Sequence, residues 1–160
     1  MENLPLDKYY EQMNWKVIPD DICQMIFEYM ETSVEAVREN YPWQKKGHGE
    51  FQMHDAPEFL WEWCQENLPL DFKQYYVSIQ VIPVHQCRTH IDTALRKSSF
   101  NFVLTGDKAV TSWYDETHEN ILHSVEYKTK TWYHHQGSVP HRITGITTPP
   151  RIGVTIYKLA

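Results

Sequence analysis

The sequence predicts a mainly β protein with N-terminal helices, in which the helices support an antiparallel jelly roll, a double-stranded β-helix. Apolar residues recur at the helical spacing of three and four only before residue 70. After Asp71, stretches rich in Val, Ile, Thr, Phe, Tyr and Trp follow one another at short intervals. No helical pattern separates these stretches, so the strands have no crossovers of the kind that parallel pairing requires.

Two helices are predicted in the first part of the chain. The first covers Asp20 to Glu39, where the apolar face consists of Ile22, Met25, Ile26, Tyr29, Met30, Val34 and Val37. The second begins at "DAPE", because Asp55 can cap the first turn and Glu58 stands three residues later, as in a capping box. The stretch "NLPLD" ends this helix near Leu68.

Eight short strands are predicted in the second part, separated by turn residues such as "TGDK", "DETHEN" and "TTPPR". They are Tyr75–Pro83, Gln86–Asp92, Phe100–Thr105, Ala109–Tyr114, Ile121–Tyr127, Thr131–His134, Val139–Thr144 and Arg151–Leu159. We therefore expect one domain over residues 1–160, with residues 1–70 as helical support and residues 71–160 as the jelly-roll core.

Charge and cysteine content exclude several classes of protein. A formal net charge of −6 disfavours binding to a phosphate backbone, so no nucleic-acid partner is expected. No apolar run approaches the roughly 18 residues of a membrane span, and the N-terminus lacks the pattern of a secretory signal. Three cysteines without CxxC spacing indicate buried free thiols. We expect a soluble, cytoplasmic protein that binds no membrane.

Two stretches carry a histidine and a carboxylate two positions apart. In "THID", His90 and Asp92 fall in a predicted strand, where residues i and i+2 point to the same side and can chelate one ion. In "HGE", His48 and Glu50 have His54 nearby as a third potential ligand, but they lie in a glycine-bearing loop that fixes ligand positions poorly. A solvated polar loop is the better interpretation of the second stretch.

The far end of the β region, "SVPHRITGITTPPRIGVTIYK", distinguishes the first dyad from the second. His90-x-Asp92, then His141 about fifty residues later and Arg151 ten residues beyond, resembles the signature of the Fe(II)/2-oxoglutarate-dependent dioxygenase superfamily. The resemblance covers roughly half of the chain, Tyr75 to Lys158. The "VPH" before the distal strand and the stretch "RKSSFNFVLTG" are similar to small prolyl- and aspartyl/asparaginyl-hydroxylase-like members.

The resemblance implies a metal site and a co-substrate. His90, Asp92 and His141 would bind Fe(II), leaving three adjacent positions for a bidentate keto acid and for dioxygen (O2). The distal carboxylate of 2-oxoglutarate would pair with Arg151, whose planar fork matches a carboxylate and stays charged when buried. The implied reaction oxidises 2-oxoglutarate to succinate and CO2 and hydroxylates a C–H bond of a small-molecule, amino-acid or peptide substrate.

Further residues are weaker candidates for contact with the co-substrate. Alternation places Asn101 on the polar face of its strand, where it either donates to a bound carboxylate or is an inward amide satisfied by the protein. By the same alternation Tyr76 could reach the co-substrate. Many family members have Ser or Thr two residues after the arginine, whereas this chain has Gly153, so Tyr76 and Tyr114 are candidates for the missing hydroxyl.

The sequence allows more than one role for three other residues near the motifs. Arg96, four residues after Asp92, either holds an acidic group of the substrate near the mouth of the site or is solvated. His134 and His135 are neighbours in a strand, so at most one of them can face inward and orient a ligand. Packing is the better interpretation for Trp132.

Two alternatives to the dioxygenase stay open at the level of sequence. A cupin-like jelly roll could serve as a binding module, with a structural metal or none. A metalloenzyme of similar fold could also work without 2-oxoglutarate, and Arg151 would then be dispensable. Loss of succinate formation on replacing Arg151 with alanine distinguishes the dioxygenase from both.

Overall fold

The computed structural model describes residues 2–40, 51–92, 97–105 and 108–159, with the side chains of residues 33–40 left out. The helices are α1 (Asp20–Asn40) and α2 (Glu58–Asn67). The strands are β1 (Tyr10–Met13), β2 (Gln52–Asp55), β3 (Tyr75–Ile82), β4 (Ser98–Val103), β5 (Val110–Tyr114), β6 (Ile121–Val125), β7 (Trp132–Gln136), β8 (His141–Thr144) and β9 (Arg151–Lys158). This order of elements confirms the predicted fold class.

The strands form two antiparallel sheets. The large sheet has the order β1-β7-β4-β9-β3-β2, and the small sheet has the order β6-β5-β8. From β4 onward the chain passes repeatedly between the sheets, since β5, β6 and β8 belong to the small sheet and β4, β7 and β9 to the large one. The strand order is that of a jelly roll, as predicted.

Both edges of the large sheet come from the N-terminal part of the chain. In β1, Tyr10 lies opposite His135 of β7, and in β2, Asp55 lies opposite Ser78 of β3. Neither strand was predicted. The first 70 residues therefore extend the large sheet as well as supplying the two helices.

The helices pack on one face of the large sheet. Helix α1 begins with Asp20 and Asp21, whose negative charge suits the positive end of the helix dipole. Its buried residues, including Ile26, join a cluster with residues of α2 and the strands, among them Phe102 and Trp132. Trp132 also donates from Nε1 to the Lys16 carbonyl oxygen at 3.0 Å, which agrees with the packing role expected from sequence.

The predicted strand Gln86–Asp92 is absent from the described structure, which is the main correction to the sequence analysis. The segment runs beside β8 and pairs with it at one bridge, between His90 and His141. Its backbone leaves β8 after that bridge, because the Asp92 N–H donates to the Gly137 carbonyl oxygen at 2.9 Å. His90 and Asp92 therefore lie mostly in irregular structure.

The start of α2 also differs from the prediction. Pro57 is the N-cap residue in an extended conformation, and no side chain caps the helix. Asp55 belongs instead to β2, where its carboxylate accepts a hydrogen bond from the Tyr76 hydroxyl. The capping box of Asp55 and Glu58 is therefore not formed, because the strand pairing of Asp55 directs its side chain elsewhere.

Two expectations from composition can be compared with the described residues. Cys23, Cys64 and Cys87 are buried free thiols, as predicted. Within the described part of the chain, neither helix has the length and apolar character needed to cross a bilayer.

Candidate metal centre

His90, Asp92 and His141 come together in the structure. One ligand atom from each lies within 4.8 Å of the others. The His90 Nε2 atom is 3.5 Å from Asp92 Oδ1, and the His141 Nε2 atom is 3.5 Å from Asp92 Oδ2. Ligands at right angles on a metal, with bonds of about 2.1 Å, would be about 3 Å apart, so a small adjustment lets these atoms hold an ion.

Backbone carbonyl groups fix the orientation of both histidines. The Nδ1 atom of His90 is 2.9 Å from the Arg88 carbonyl oxygen, and that of His141 is 2.7 Å from the Val139 carbonyl oxygen. A carbonyl oxygen only accepts, so each ring carries its hydrogen on Nδ1 and presents the Nε2 lone pair toward Asp92. This is the arrangement that metal-binding histidines require.

The electrostatic environment keeps the three groups in the forms that bind a metal. Burial raises the pKa of Asp92, but the neighbouring histidines His90, His141 and His135 lower it by more, so the net pKa lies below its usual value. Burial lowers the pKa of His141, and the charge of Asp92 offsets part of that shift. An ionised carboxylate beside a neutral imidazole is the ligand state that a divalent ion needs.

The triad borders a cavity of about 580 Å³, a volume that includes its opening to solvent. Phe51, Met53 and Ile143 form apolar parts of its wall. Polar parts come mainly from the large sheet, and they include Gln80, Ser99, Asn101, His135, Arg151 and Thr155.

Arg151 lines this cavity, as the resemblance implies. It is the first residue of β9, and its side chain is buried, with 6% of the residue exposed. Alternation along β9 places Gly153 and Thr155 on the same face. A Cβ atom at Gly153 would lie 3.1 Å from the Phe102 carbonyl oxygen in the adjacent strand, so close strand packing explains why no Ser or Thr occupies this position.

Asn101 also lines the cavity, on the face that alternation predicted. Its Nδ2 atom donates to the Ser99 hydroxyl at 3.2 Å, and its Oδ1 atom accepts from the Thr155 hydroxyl at 2.8 Å. These bonds join β4 to β9 across the polar wall. The predicted role of Asn101 in binding a carboxylate stays a prediction.

The structure does not bring Tyr76 to the cavity. Tyr76 shares a face of β3 with Gln80, which does line the cavity, but it lies four residues, or about 13 Å, further along the strand. Its hydroxyl donates to Asp55. Alternation predicted the same face as Gln80, but Tyr76 lies outside the cavity lining, and its role in binding the co-substrate stays a prediction. Tyr114, the other candidate hydroxyl, also lies outside the cavity lining.

Two residues line the cavity although the sequence analysis did not place them there. His135 faces the cavity, whereas its neighbour His134 stacks on Phe100 on the opposite face, as alternation requires. Tyr127 also lines the cavity, and its hydroxyl lies 2.9 Å from His135 Nδ1. The sequence predicted Tyr127 as the last residue of a strand, but β6 ends at Val125 and Tyr127 lies in the connection to β7, so alternation does not give its direction.

Some candidates fall outside the described residues. Arg96 is one of them, as are His48 and Glu50 of the second histidine–carboxylate stretch. His54, the third residue of that stretch, is buried in β2, where its Nε2 atom lies 3.0 Å from Gln52 Oε1.

No protein-family model and no curated protein sequence matches the chain. Among solved structures, a mutant of Bacillus subtilis oxalate decarboxylase has a TM-score of 0.42 and 11% identity, over 68% of this chain and 25% of that chain. Hydroxypropylphosphonic acid epoxidase from S. wedmorenis has a TM-score of 0.41 and 17% identity, over 52% and 43%. Vicilin from Corylus avellana, hazelnut, has a TM-score of 0.44 and 11% identity, over 68% and 29%.

The chain thus spans less than half the length of each of these three proteins. The strand order of the chain itself defines its fold, and three potential metal ligands define its candidate site.

Proposed function

We propose that the chain is an Fe(II)- and 2-oxoglutarate-dependent oxygenase that hydroxylates a C–H bond of an amino acid, a peptide residue or a small metabolite. The observation that supports this proposal best is that three potential metal ligands and a buried arginine border one cavity. When bound, Fe(II) and 2-oxoglutarate would supply the oxidising chemistry, with succinate and CO2 as the products of the co-substrate.

The donor set fits ferrous iron. Two neutral imidazoles and one carboxylate hold the ion while leaving adjacent coordination positions open. His90 is partly exposed, with 28% of its side chain accessible, whereas 4% of the His141 side chain is accessible. Solvent and ligands therefore reach the site from the side of His90.

Charge favours a dianionic ligand in this cavity. A divalent metal with Asp92 as its carboxylate ligand keeps a net positive charge, and Arg151 adds another. Because Arg151 is buried, its attraction for a carboxylate is screened less than at the surface. A keto acid with a second carboxylate, such as 2-oxoglutarate, matches both positive centres, with the guanidinium fork on the distal carboxylate.

Anaerobic titration with Fe(II) and then 2-oxoglutarate tests the proposal. The wild-type protein should develop a metal-to-ligand charge-transfer band in the visible region, and His141→Ala should lose it. His118→Asn is the matched control, because His118 is an exposed turn histidine at φ 63°, a conformation that asparagine tolerates. This variant should keep the wild-type band.

Arg151 variants separate co-substrate binding from metal binding. Arg151→Met should bind Fe(II) normally and weaken 2-oxoglutarate binding by at least about thirtyfold, because the carboxylate loses its buried partner. Arg151→Lys should lie between this variant and wild type, since lysine keeps the charge but not the fork. Metal binding that is indifferent to 2-oxoglutarate would contradict the proposal and favour a cupin-like metal-binding protein.

The substrate can be sought by mass spectrometry. A panel of amino acids, peptides and small metabolites is incubated with the loaded protein in air, and each is examined for a gain of one oxygen atom. Succinate release should rise in parallel with the true substrate. Succinate formation that Arg151→Ala leaves unchanged would rule out the assigned role of this arginine.

A further inference from the structure

The apolar part of the cavity wall lies next to the metal ligands. The rings of Phe51 and His90 have centroids 5.8 Å apart. Ile143 follows His141 by two residues in β8, so strand alternation places both side chains on one face, and both line the cavity. A ligand group close to the metal ligands therefore has an apolar side chain beside each of the two histidines.

A buried cluster holds this wall in place. Phe51 packs against the cluster, which contains Ile143 together with Ile82, Cys87, Ala109 and Ile146. Met53, the third apolar residue of the wall, lies in β2 opposite Gln80, and its unbranched side chain can adapt to ligands of different shape. Because the packing of the chain already orders most of the wall, a ligand that binds there loses little affinity to ordering it.

The cavity offers few charged partners to a substrate. Among the described lining residues, Asp92 and Arg151 are the only Asp, Glu, Lys or Arg side chains. The proposed function assigns Asp92 to the metal and Arg151 to the co-substrate. A charged group of the substrate would therefore be buried beside Phe51 and Ile143 without an opposite charge, which is costly.

The hydrogen-bonding side chains of β4 and β9 lie on another part of the wall. There the Asn101 side chain bonds to the hydroxyls of Ser99 and Thr155. An amide or hydroxyl group of a substrate that lay against the apolar wall would lose its hydrogen bonds to water without replacement. An aliphatic group of the same size would gain free energy by leaving water. The apolar wall therefore favours aliphatic groups over polar ones.

We propose that Phe51, Met53 and Ile143 bind an uncharged aliphatic side chain of the substrate and hold one of its C–H bonds beside the metal. The substrate is then a free amino acid or a peptide residue with a leucine-like side chain. The inference rests on the proposed function, because it takes the metal and the co-substrate as the partners of Asp92 and Arg151. The three apolar residues determine specificity and take no part in the chemistry.

Three compounds of similar shape test the inference: the N-acetyl α-amides of leucine, asparagine and aspartate. Their branched side chains are close in size and differ in polarity and charge. Saturation-transfer NMR measures their binding to protein loaded with Zn(II) and 2-oxoglutarate, since Zn(II) accepts histidine and carboxylate ligands but has no redox chemistry. The leucine compound should bind at least about tenfold more tightly than the other two, because only its side chain needs no polar partner.

Substitutions in the apolar wall should change this preference. Met53→Gln keeps the length of the side chain and adds an amide, so it should weaken binding of the leucine compound about fivefold and strengthen that of the asparagine compound. Phe51→Ala removes apolar contact area and should weaken binding of the leucine compound about tenfold. Both variants should keep the 2-oxoglutarate affinity of wild type within about twofold, since neither residue is assigned to the co-substrate.

Leu122→Ala is the matched control. Leu122 is 51% exposed on β6 and lies outside the cavity lining, so its truncation removes an apolar side chain away from the site. This variant should bind all three compounds as wild type does.

Two further pairs of probes identify how the side chain is presented. Free leucine is compared with free asparagine, and a pentapeptide with leucine between two pairs of glycines is compared with its asparagine counterpart. Tighter binding of the leucine member in either pair supports the inference. The pair with the larger ratio of affinities shows whether the substrate is an amino acid or a peptide.

The outcomes separate the inference from the proposed function. If wild-type protein binds 2-oxoglutarate, but the asparagine or aspartate compound binds as tightly as the leucine compound or none of the three binds, the inference is overturned and the proposed function stands. If wild-type protein binds no 2-oxoglutarate, both are overturned. Melting curves show whether each variant is folded, and if Phe51→Ala is not, Met53→Gln decides: an unchanged preference for leucine in that variant would overturn the inference.

Discussion

The two faces of the large sheet have different functions although the same strands supply both. On β4, Phe102 belongs to the apolar cluster with the helices, whereas the side chain of its neighbour Asn101 bonds to Ser99 and Thr155 in the polar wall of the cavity. On β7, His134 stacks on Phe100 and His135 faces the cavity. Adjacent residues of one strand therefore serve stability and the site separately, so substitutions on the two faces should change different measurements.

Truncation on the helix-facing side should have the largest effect on stability. Phe102 is fully buried among residues of the helices and strands. Phe102→Ala should lower the free energy of unfolding by about 3–5 kcal/mol, through lost burial and the cavity left behind. Urea denaturation of the metal-free protein, with the midpoint and slope followed separately, measures this change.

Asn101→Ala is the matched comparison on the cavity face. It removes two side-chain hydrogen bonds next to the cavity, where water can replace them, so we expect a loss of about 1 kcal/mol. Equal losses of unfolding free energy for Phe102→Ala and Asn101→Ala would contradict the expectation that the helix-facing side contributes more to stability than the cavity side.

Protonation of His134, on the helix-facing side of the sheet, should have the next largest effect on stability. Burial lowers the pKa of His134 to about 4, whereas an exposed histidine titrates near 6.5. The unfolded chain therefore binds more protons between these pH values, and stability falls as pH decreases from about 6.5 to 4. The contribution of His134 is fully present above pH 6.5 and amounts to at most about 3 kcal/mol.

His134→Gln isolates this contribution. Glutamine can still donate to the Ser98 hydroxyl, which lies 3.0 Å from His134 Nε2, but it does not titrate. Unfolding free energies of both proteins are compared at pH 7 and pH 4.5. Wild type should lose more stability than the variant over this interval. Equal losses would show that His134 is protonated as readily in the folded protein as in the unfolded chain.

The sequence predicted features that depend on local periodicity. The apolar spacing predicted α1 to within one residue, and strand alternation correctly divided His134 from His135. The spacing of His90, Asp92 and His141 predicted that these residues meet. The first two features are encoded within short stretches of the chain, whereas the meeting of His90, Asp92 and His141 was implied by the family resemblance.

Features that depend on distant pairing could not be read from the sequence. Strands β1 and β2 have four residues each, and their partners lie far along the chain, as Tyr10 opposite His135 illustrates. Alternation gave Tyr76 the correct face but not its distance from the metal ligands. Tyr127 was predicted to end a strand, but β6 ends at Val125, so the folded structure is needed to show that Tyr127 lines the cavity.

Substitution of Gly153, in β9, should have the smallest of these effects on stability. A Cβ there would approach the Phe102 carbonyl oxygen to 3.1 Å, and this oxygen belongs to the backbone of the adjacent strand, where it cannot move independently of the sheet. Gly153→Ala should therefore lower the free energy of unfolding by about 1 kcal/mol. Gly153→Ser adds a hydroxyl to the same Cβ and should lose a similar amount. Urea denaturation measures both changes, and a Gly153→Ala variant as stable as wild type would contradict the close packing of β4 and β9 at this position.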